Sequence, residues 1–270
     1  MQRSTIANRK PFWSTIPRSL GIRLAQIGLG VLLLTVWEIV ALQVGSFILA
    51  PPTALVAAFG EIVQSGDLGR ALVDSLYGLA IGYALAILLG VTVGFLMGWY
   101  PSLATILNPF ISALYVVPVA ALVPLLIVWF GIGATPRIIT VMLFAVFEIL
   151  LTTYTAVRDI DQRLVEMARV FGANQRQILT RVVIQATLPL VGAGLRIGAG
   201  RAIKGMVVAE LLFAATGLGG LVMHYSSRFQ TDRIMVVVIV VAMMGVLLGW
   251  LVQRLEYWIA PWYHRRPNRS

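Results

Sequence analysis

Three basic residues stand inside a run that is otherwise apolar: Arg196, Arg201 and Lys204 fall within residues 188–215. A cationic side chain at the centre of a bilayer-crossing helix costs roughly 2.5–3.5 kcal/mol, so each needs a water-filled path, a counter-ion or the headgroups. Arg201 and Lys204 are three residues apart and share a helix face, whereas Arg196 lies nearer the start of the run and can snorkel. If the shared face lines a path, it presents positive potential to a passing anion. The competing use is structural: Arg201 and Lys204 could neutralise Glu148 or Glu210, or bond exposed carbonyls at a subunit interface. Glu210, about two helical turns beyond Lys204, belongs either to the same path or to an external gate. Glu38 sits in another apolar run with no partner that spacing can name, and is expected at an interface or facing the bundle.

Other chemistry lacks its residues. There is no cysteine, and His224 and His264 are too far apart to suggest a metal site. No Gly-x-x-x-x-Gly-Lys-Ser/Thr loop occurs, and the stretch 131–136, despite Gly131 and Gly133, has no lysine with which to hold phosphate. Nucleophile elbows, His-Glu-x-x-His pairs and carboxylate pairs suited to general acid and base work are likewise missing. No enzymatic activity and no bound cofactor are expected, and any ATP must be hydrolysed by another chain.

The elements that position these residues are set by lipid. Only 12% of the 270 residues are charged against 59% hydrophobic, where a soluble domain carries about a quarter charged residues. The apolar residues form six runs, at 24–44, 76–100, 106–130, 138–157, 188–215 and 234–251. Each approaches or exceeds the roughly 20 residues that cross the hydrocarbon. Backbone amides in lipid must be satisfied internally, and runs without period-two alternation exclude a barrel. The expected fold is an all-α, polytopic membrane helical bundle of six transmembrane helices. The first run is too long for a signal segment and has no small-residue cleavage pattern, so it is expected to be retained. Gly78 and Gly82, Gly90, Gly94 and Gly98, Gly194 and Gly198, and Gly245 and Gly249 recur four apart, a packing signal that lets helices approach closely. Pro109, Pro118 and Pro124 interrupt the third run, and Pro118 and Pro124 are expected to bend it.

The net charge of +10 does not point to nucleic acid, because the basic residues lie on alternate loops. Arg3, Arg9, Lys10, Arg18 and Arg23 precede the first run; Arg158, Arg163, Arg169, Arg176 and Arg181 separate the fourth from the fifth; Arg254, Arg265, Arg266 and Arg269 follow the sixth. The segment after the first run has Glu61, Asp67 and Asp74 against Arg70. The positive-inside rule makes both termini and the 158–185 loop cytoplasmic. The chain divides into a basic segment 1–23, a six-span domain 24–255 containing the loop 158–185, and a basic tail 256–270.

That loop reads as helix, tight turn, helix. Leu164, Met167, Ala168 and Phe171 form one apolar stripe, expected to pack on the cytosolic ends of the spans, and Glu166 could pair with Arg163 and Arg169. Gly172 sits where a left-handed C-terminal cap belongs. Asn174 can cap the next helix with Gln177 at the capping-box position, and Ile178, Leu179, Val182, Val183 and Ala186 supply a second stripe.

Glu166, Met167 and Ala168, then Gly172 and a distal apolar stretch, resemble the "EAA" loop of binding-protein-dependent ABC importer permeases. The resemblance covers roughly residues 49–262 and is most specific in this loop and in 194–220, while the segments 49–53 and 229–233 look like the nitrate, sulfonate and taurine branch. Met167 departs from the family's Ala, and Gln185 stands where the family often has proline, with Pro189 left to bend the chain into the fifth span. The resemblance implies a type I ABC importer permease fold in the inner membrane and a second permease copy, most simply a homodimer. It implies two cytoplasmic ATP-binding subunits carrying ATP and Mg, and an extracytoplasmic solute-binding protein. It assigns ATPase coupling to Glu166, Met167, Ala168, Phe171, Gly172, Ala173 and Asn174, and suits a path past Arg201, Lys204 and Glu210 for a small sulfonate-, taurine- or nitrate-like anion. The alternative is an ion-gradient-driven secondary transporter or channel coupled through Glu38, Glu148, Glu210 and Lys204, which has no use for the cytoplasmic helix-turn-helix.

Overall fold

Lipid leaves the backbone amides of the apolar runs no partner but their own helix, and residue chemistry at the ends decides where each helix stops. The computed structural model describes residues 18–213, 216–259 and 261. Arg3, Arg9, Lys10, His264, Arg265, Arg266 and Arg269, and Ala214 and Ala215 at the end of the expected fifth span, lie outside the described residues.

In chain order the helices are α1 (Arg18–Val44), α2 (Pro52–Gln64), α3 (Asp67–Trp99), α4 (Pro101–Val116), α5 (Val119–Phe130), α6 (Ala134–Arg158), α7 (Gln162–Val170), α8 (Gln175–Gln177), α9 (Ile184–Phe213), α10 (Gly217–Ser227) and α11 (Thr231–Ile259). A π-helical turn, Ile178–Val183, joins α8 to α9, so Gln175–Phe213 is one continuous helix of 39 residues. Among the described residues, five helices are long and apolar enough to cross a membrane: α1, α3, α6, this continuous helix and α11.

The third expected span departs from a single rod. It is two helices, α4 and α5, bent by 93° at Val117 and Pro118. Pro118 has no N–H for the ladder and drives the preceding Val117 out of the helical region, to ψ 126°. Pro109 and Pro124 lie inside α4 and α5 and end neither. Pro189 likewise lies within α9, which runs through it, so the second helix of the cytoplasmic loop is the start of the fifth span rather than a separate element.

Besides the short helices of the 158–185 loop, two of the described helices, α2 and α10, fall outside the six runs. Pro52 opens α2 at its first position, and Leu55, Ala58 and Ile62 form its buried face. Glu38 of α1 finds its partner here, accepting from Thr53 N at 3.2 Å and Thr53 Oγ1 at 2.7 Å in the first turn of α2. A carboxylate suits that end of a helix, where amides are unpaired. Arg233 of α11 reaches Glu61 of α2 at 2.8 Å. The other helix, α10, follows the fifth span.

The centre of the bundle is α6, with Ile149 and Ala145 fully buried between α3 and α9. On α3 the approach is made by Gly82, Gly90, Gly94 and Gly98, on α9 by Gly194, Gly198 and Gly205. A Cβ at Gly94 would sit 2.4 Å from Leu150 O, and one at Gly198 would sit 2.6 Å from Ile149 Cγ1. Dispersion between such closely set helices and the absence of rotamers to freeze replace the hydrophobic drive that lipid removes. The spacing of four at Gly245 and Gly249 is not such a contact, since nothing lies within 4 Å of a Cβ at Gly249. Gly94→Leu is expected to abolish the monodisperse peak in detergent size-exclusion chromatography, because its clash is with backbone, while Gly249→Ala leaves that peak and the melting temperature essentially unchanged.

Candidate functional site

In the loop between α6 and α9, α7 is closed off at both ends by hydrogen bonds that its sequence dictates. Asp161 is its N-cap, with Oδ1 accepting from Arg163 N at 3.0 Å. At the other end Gly172 takes φ +79°, Ala173 N donates to Ala168 O at 3.0 Å and Gly172 N to Arg169 O at 2.9 Å. These two bonds are the Schellman pattern, which requires a left-handed residue where Gly172 stands. Asn174 and Gln177 then form the reciprocal capping box, both bonds at 2.9 Å. The turn between the two helices is thus fully hydrogen-bonded and stiff. Just before it, the guanidinium of Arg158 beside Asp159 holds the Asp159 carboxyl below the usual carboxylate range.

The inward face of α7 differs from the expected stripe. Val165 is buried with Val157, Ile178 and Val183, and Ala168 and Ala173 pack on that cluster. Leu164 and Met167 are exposed, and Val170 and Phe171 at the tip are 85% and 88% exposed. The helix carries apolar residues on two faces, and the hollow formed by Val157, Ile178 and Val183 takes the compact Val165. Glu166 is exposed and makes no ion pair with Arg163 or Arg169 among the described residues. Three solvated side chains gain little from pairing.

Arg201 meets Glu148 of α6, Nη2 to Oε1, at 2.7 Å. Arg201 lies twelve positions before Phe213 at the C-terminal end of α9, so the pair lies about 18 Å from that end, near the middle of the membrane-crossing length. It is not sealed: the Arg201 side chain is 48% exposed and that of Glu148 18%. Both line a cavity of about 310 Å³ whose other wall is the break between α4 and α5, with Tyr115, Phe144 and Phe147 around it. Lys204, one turn further out, is exposed and makes no ion pair among the described residues. Arg196 pairs instead with Glu256 of α11, a buried carboxylate that Gly192 leaves room for. It therefore has a counter-ion inside the bundle rather than only the headgroups.

Glu210 is not on the exposed face with Arg201 and Lys204. It is 2% exposed, accepts from Ser75 Oγ and Gly219 N at 2.9 Å each, and lies 3.9 Å from Arg137 Nη1. Arg137 in turn holds both oxygens of Asp74 at 2.9 and 3.2 Å and donates to Thr216 Oγ1 at 2.7 Å. Ser75 Oγ also accepts from Leu218 N at 2.9 Å, so the first amides of α10 are capped by residues of α3 and α9. A Cβ at Gly217 would meet the Glu210 carboxyl at 2.4 Å. Inside, two hydrogen-bond donors and the nearby Arg137 guanidinium compensate the burial of its carboxylate. This network, near the starts of α3 and α6 and the end of α9, is the part that residue spacing missed. Its signal was Arg137 itself, an arginine at the outer end of a span where the other loops are poor in basic residues.

The structure thus brings Met167, Ala168, Phe171, Gly172, Ala173 and Asn174 together at one stiff turn, with Glu166 on the same short helix, and sets Arg201 with Lys204 on one face. Glu210 belongs to the separate outer network. Among the described residues no group of His, Cys, Asp and Glu is placed to hold a metal.

Residues 86–265 match the family described as the binding-protein-dependent transport system inner membrane component. The putative aliphatic sulfonates transport permease protein SsuC of Bacillus subtilis (strain 168) is 32% identical over 232 residues, 85% of this chain and 84% of that protein. The taurine transport system permease protein TauC of Escherichia coli (strain K12) is 31% identical over 253 residues, 92% of each. In fold, the chain resembles an inward-facing conformation of the MetNI methionine ABC transporter, with a TM-score of 0.59 at 20% identity over 73% of this chain and 97% of that one. These matches decide between ATP-driven import and an ion-gradient-driven carrier. The chain belongs to the binding-protein-dependent ABC importer permeases: it is a multi-pass inner-membrane transport subunit that works with a separate ATPase and is not itself an enzyme.

Proposed function

We propose that this permease carries a small anionic, sulfonate-like solute inward by alternating access, as one of two copies that each dock an ATP-binding subunit and share an extracytoplasmic solute-binding protein. Both termini and the turn centred on Gly172 face the cytoplasm, in line with the placement of the basic residues. One observation carries the coupling part. The tip residues Val170 and Phe171 are almost fully exposed on a turn held by the Schellman bonds and the capping box. Large apolar side chains left in water at the end of a stiff element are the anchors expected at a protein interface. The groove of the ATPase is their occupant, and Glu166 and Met167 form its rim. ATP-driven closure of the two ATPases moves the turn, and the continuous helix Gln175–Phe213 carries that motion into the bundle.

The path runs past Arg201 and Lys204 along the cavity at the broken span. Its charge supports an anion: two cations face one carboxylate, Glu148, across that surface. The relatives named for sulfonates and taurine support the same class.

Replacing the tip residues, as in Val170→Asp with Phe171→Asp, should cut co-purification of the ATPase at least tenfold without lowering the permease's melting temperature, since neither side chain is buried. A melting point that falls with the loss of partner would place those residues in the core instead. Lys204→Gln and Arg201→Gln should each lower uptake of an alkanesulfonate by proteoliposomes about tenfold, the worth of one charge-assisted hydrogen bond, while ATPase association persists. Unchanged uptake in both variants would remove these residues from the path.

A further inference from the structure

The mid-membrane cavity holds charges of both signs, and that restricts what can bind there beyond a preference for anions. Arg201 is already neutralised by Glu148 at 2.7 Å, and both side chains reach the same cavity of about 310 Å³. A solute bearing only negative charge must compete with the Glu148 carboxylate for the guanidinium. If it succeeds, it leaves Glu148 unpaired in a low-dielectric site, where an uncompensated charge is strongly unfavourable. A solute that carries an ammonium beside its anion avoids this. Its anion takes Arg201, its ammonium takes Glu148, and one ion pair is exchanged for two. Lys204, unpaired among the described residues and one turn further out on the same face, favours the anionic end toward the outside. The cavity is at the small end of ligand sites, so the two charges must be a few bonds apart. Its remaining wall, Tyr115, Phe144 and Phe147, suits a short methylene spacer.

We infer that Glu148 is the specificity-determining residue of the path and that the preferred substrate is a small zwitterion, an amino-substituted sulfonate rather than a plain one. The inference rests on the path proposed above, in which Arg201 meets the substrate's anion. A merely structural ion pair would join α6 to α9 with no effect on which solute passes. What sets this pair apart from Arg196 and Glu256 is that both of its side chains open on one cavity at a broken span and that its carboxylate is 18% exposed against 6%.

The test uses the permease reconstituted in proteoliposomes with its ATPase and binding protein, and two isosteric probes, 2-aminoethanesulfonate and 1-propanesulfonate. In Glu148→Gln, uptake of 2-aminoethanesulfonate relative to 1-propanesulfonate should fall about tenfold or more, the loss of one charge-assisted bond. The plain sulfonate should hold or rise, because Arg201 is freed. Glu148→Asp should keep the wild-type preference. Direct binding of both probes to the wild-type permease and ATPase complex, without the binding protein, should favour the zwitterion by a similar factor and needs no variant to fold. A ratio unchanged by Glu148→Gln, a parallel loss of both probes, or equal binding to the wild type overturns the inference. The preceding path reading is judged separately by Arg201→Gln: if it lowers uptake of neither probe, that reading falls as well, whereas loss of both with an unaltered Glu148→Gln ratio removes only the role of Glu148.

Discussion

Everything in this bundle depends on how closely α3 and α9 approach α6. Between lipid-embedded helices there is no hydrophobic gain from leaving water, so contact must come from dispersion over a long, close seam and from polar groups that have nowhere else to go. The glycines on α3 and α9 bring both helices within backbone reach of α6, as the distances at Gly94 and Gly198 require. Once the seam is fixed, the register of every charge is fixed with it. Gly198 against Ile149 sets Arg201 opposite Glu148, and Gly82 against Ile138 sets Arg137 opposite Asp74.

The charges then act as specific ties rather than as general attraction. Arg201 joins α9 to α6, Arg196 joins α9 to α11, and Glu210 joins α9 to α3 and to the start of α10. Each tie is strong in the sense that removing one partner strands the other inside the bundle. All of them converge on the helix that begins at the turn after Gly172. Gln175–Phe213 has 39 residues, a rod of about 58 Å, so a displacement at the turn reaches mid-membrane and the outer network without crossing a loop. The π-helical turn Ile178–Val183 near its base is where such a rod would bend, because one extra residue loosens the regular ladder.

Legibility in the sequence followed the range of the interactions. The spans, Gly172 and the capping box of Asn174 with Gln177 depend on residues within one helical turn of each other, and pattern was enough to place them. The break at Pro118 was legible as a bend, but not its 93°, because the angle depends on what α5 packs against. Helix α2 escaped because its 13 residues are too few to span. Glu210 was left open between path and gate because Ser75 and Arg137 lie 135 and 73 positions away in the chain, and only the seam between α3, α6 and α9 brings them together. Arg201 with Glu148 was one of several pairings that charge alone allowed; the glycine contacts selected it.

The short helix α7 makes the same distinction in the reverse sense. Its residues Leu164, Val165, Met167, Ala168, Val170 and Phe171 supply apolar groups over most of the circumference, and amphipathic pattern cannot say which face turns inward. Burial of Val165 answers that question for one face and leaves Val170 and Phe171 bare. A soluble tip with two large apolar residues in water is an incomplete structure in energetic terms: the chain has closed the helix at both ends and satisfied its turn, yet has left uncovered the side chains most costly to hydrate. What the fold withholds from its own core at that tip it leaves on a turn closed by the Schellman bonds and the capping box, so the exposed side chains are held in place rather than free to fold back.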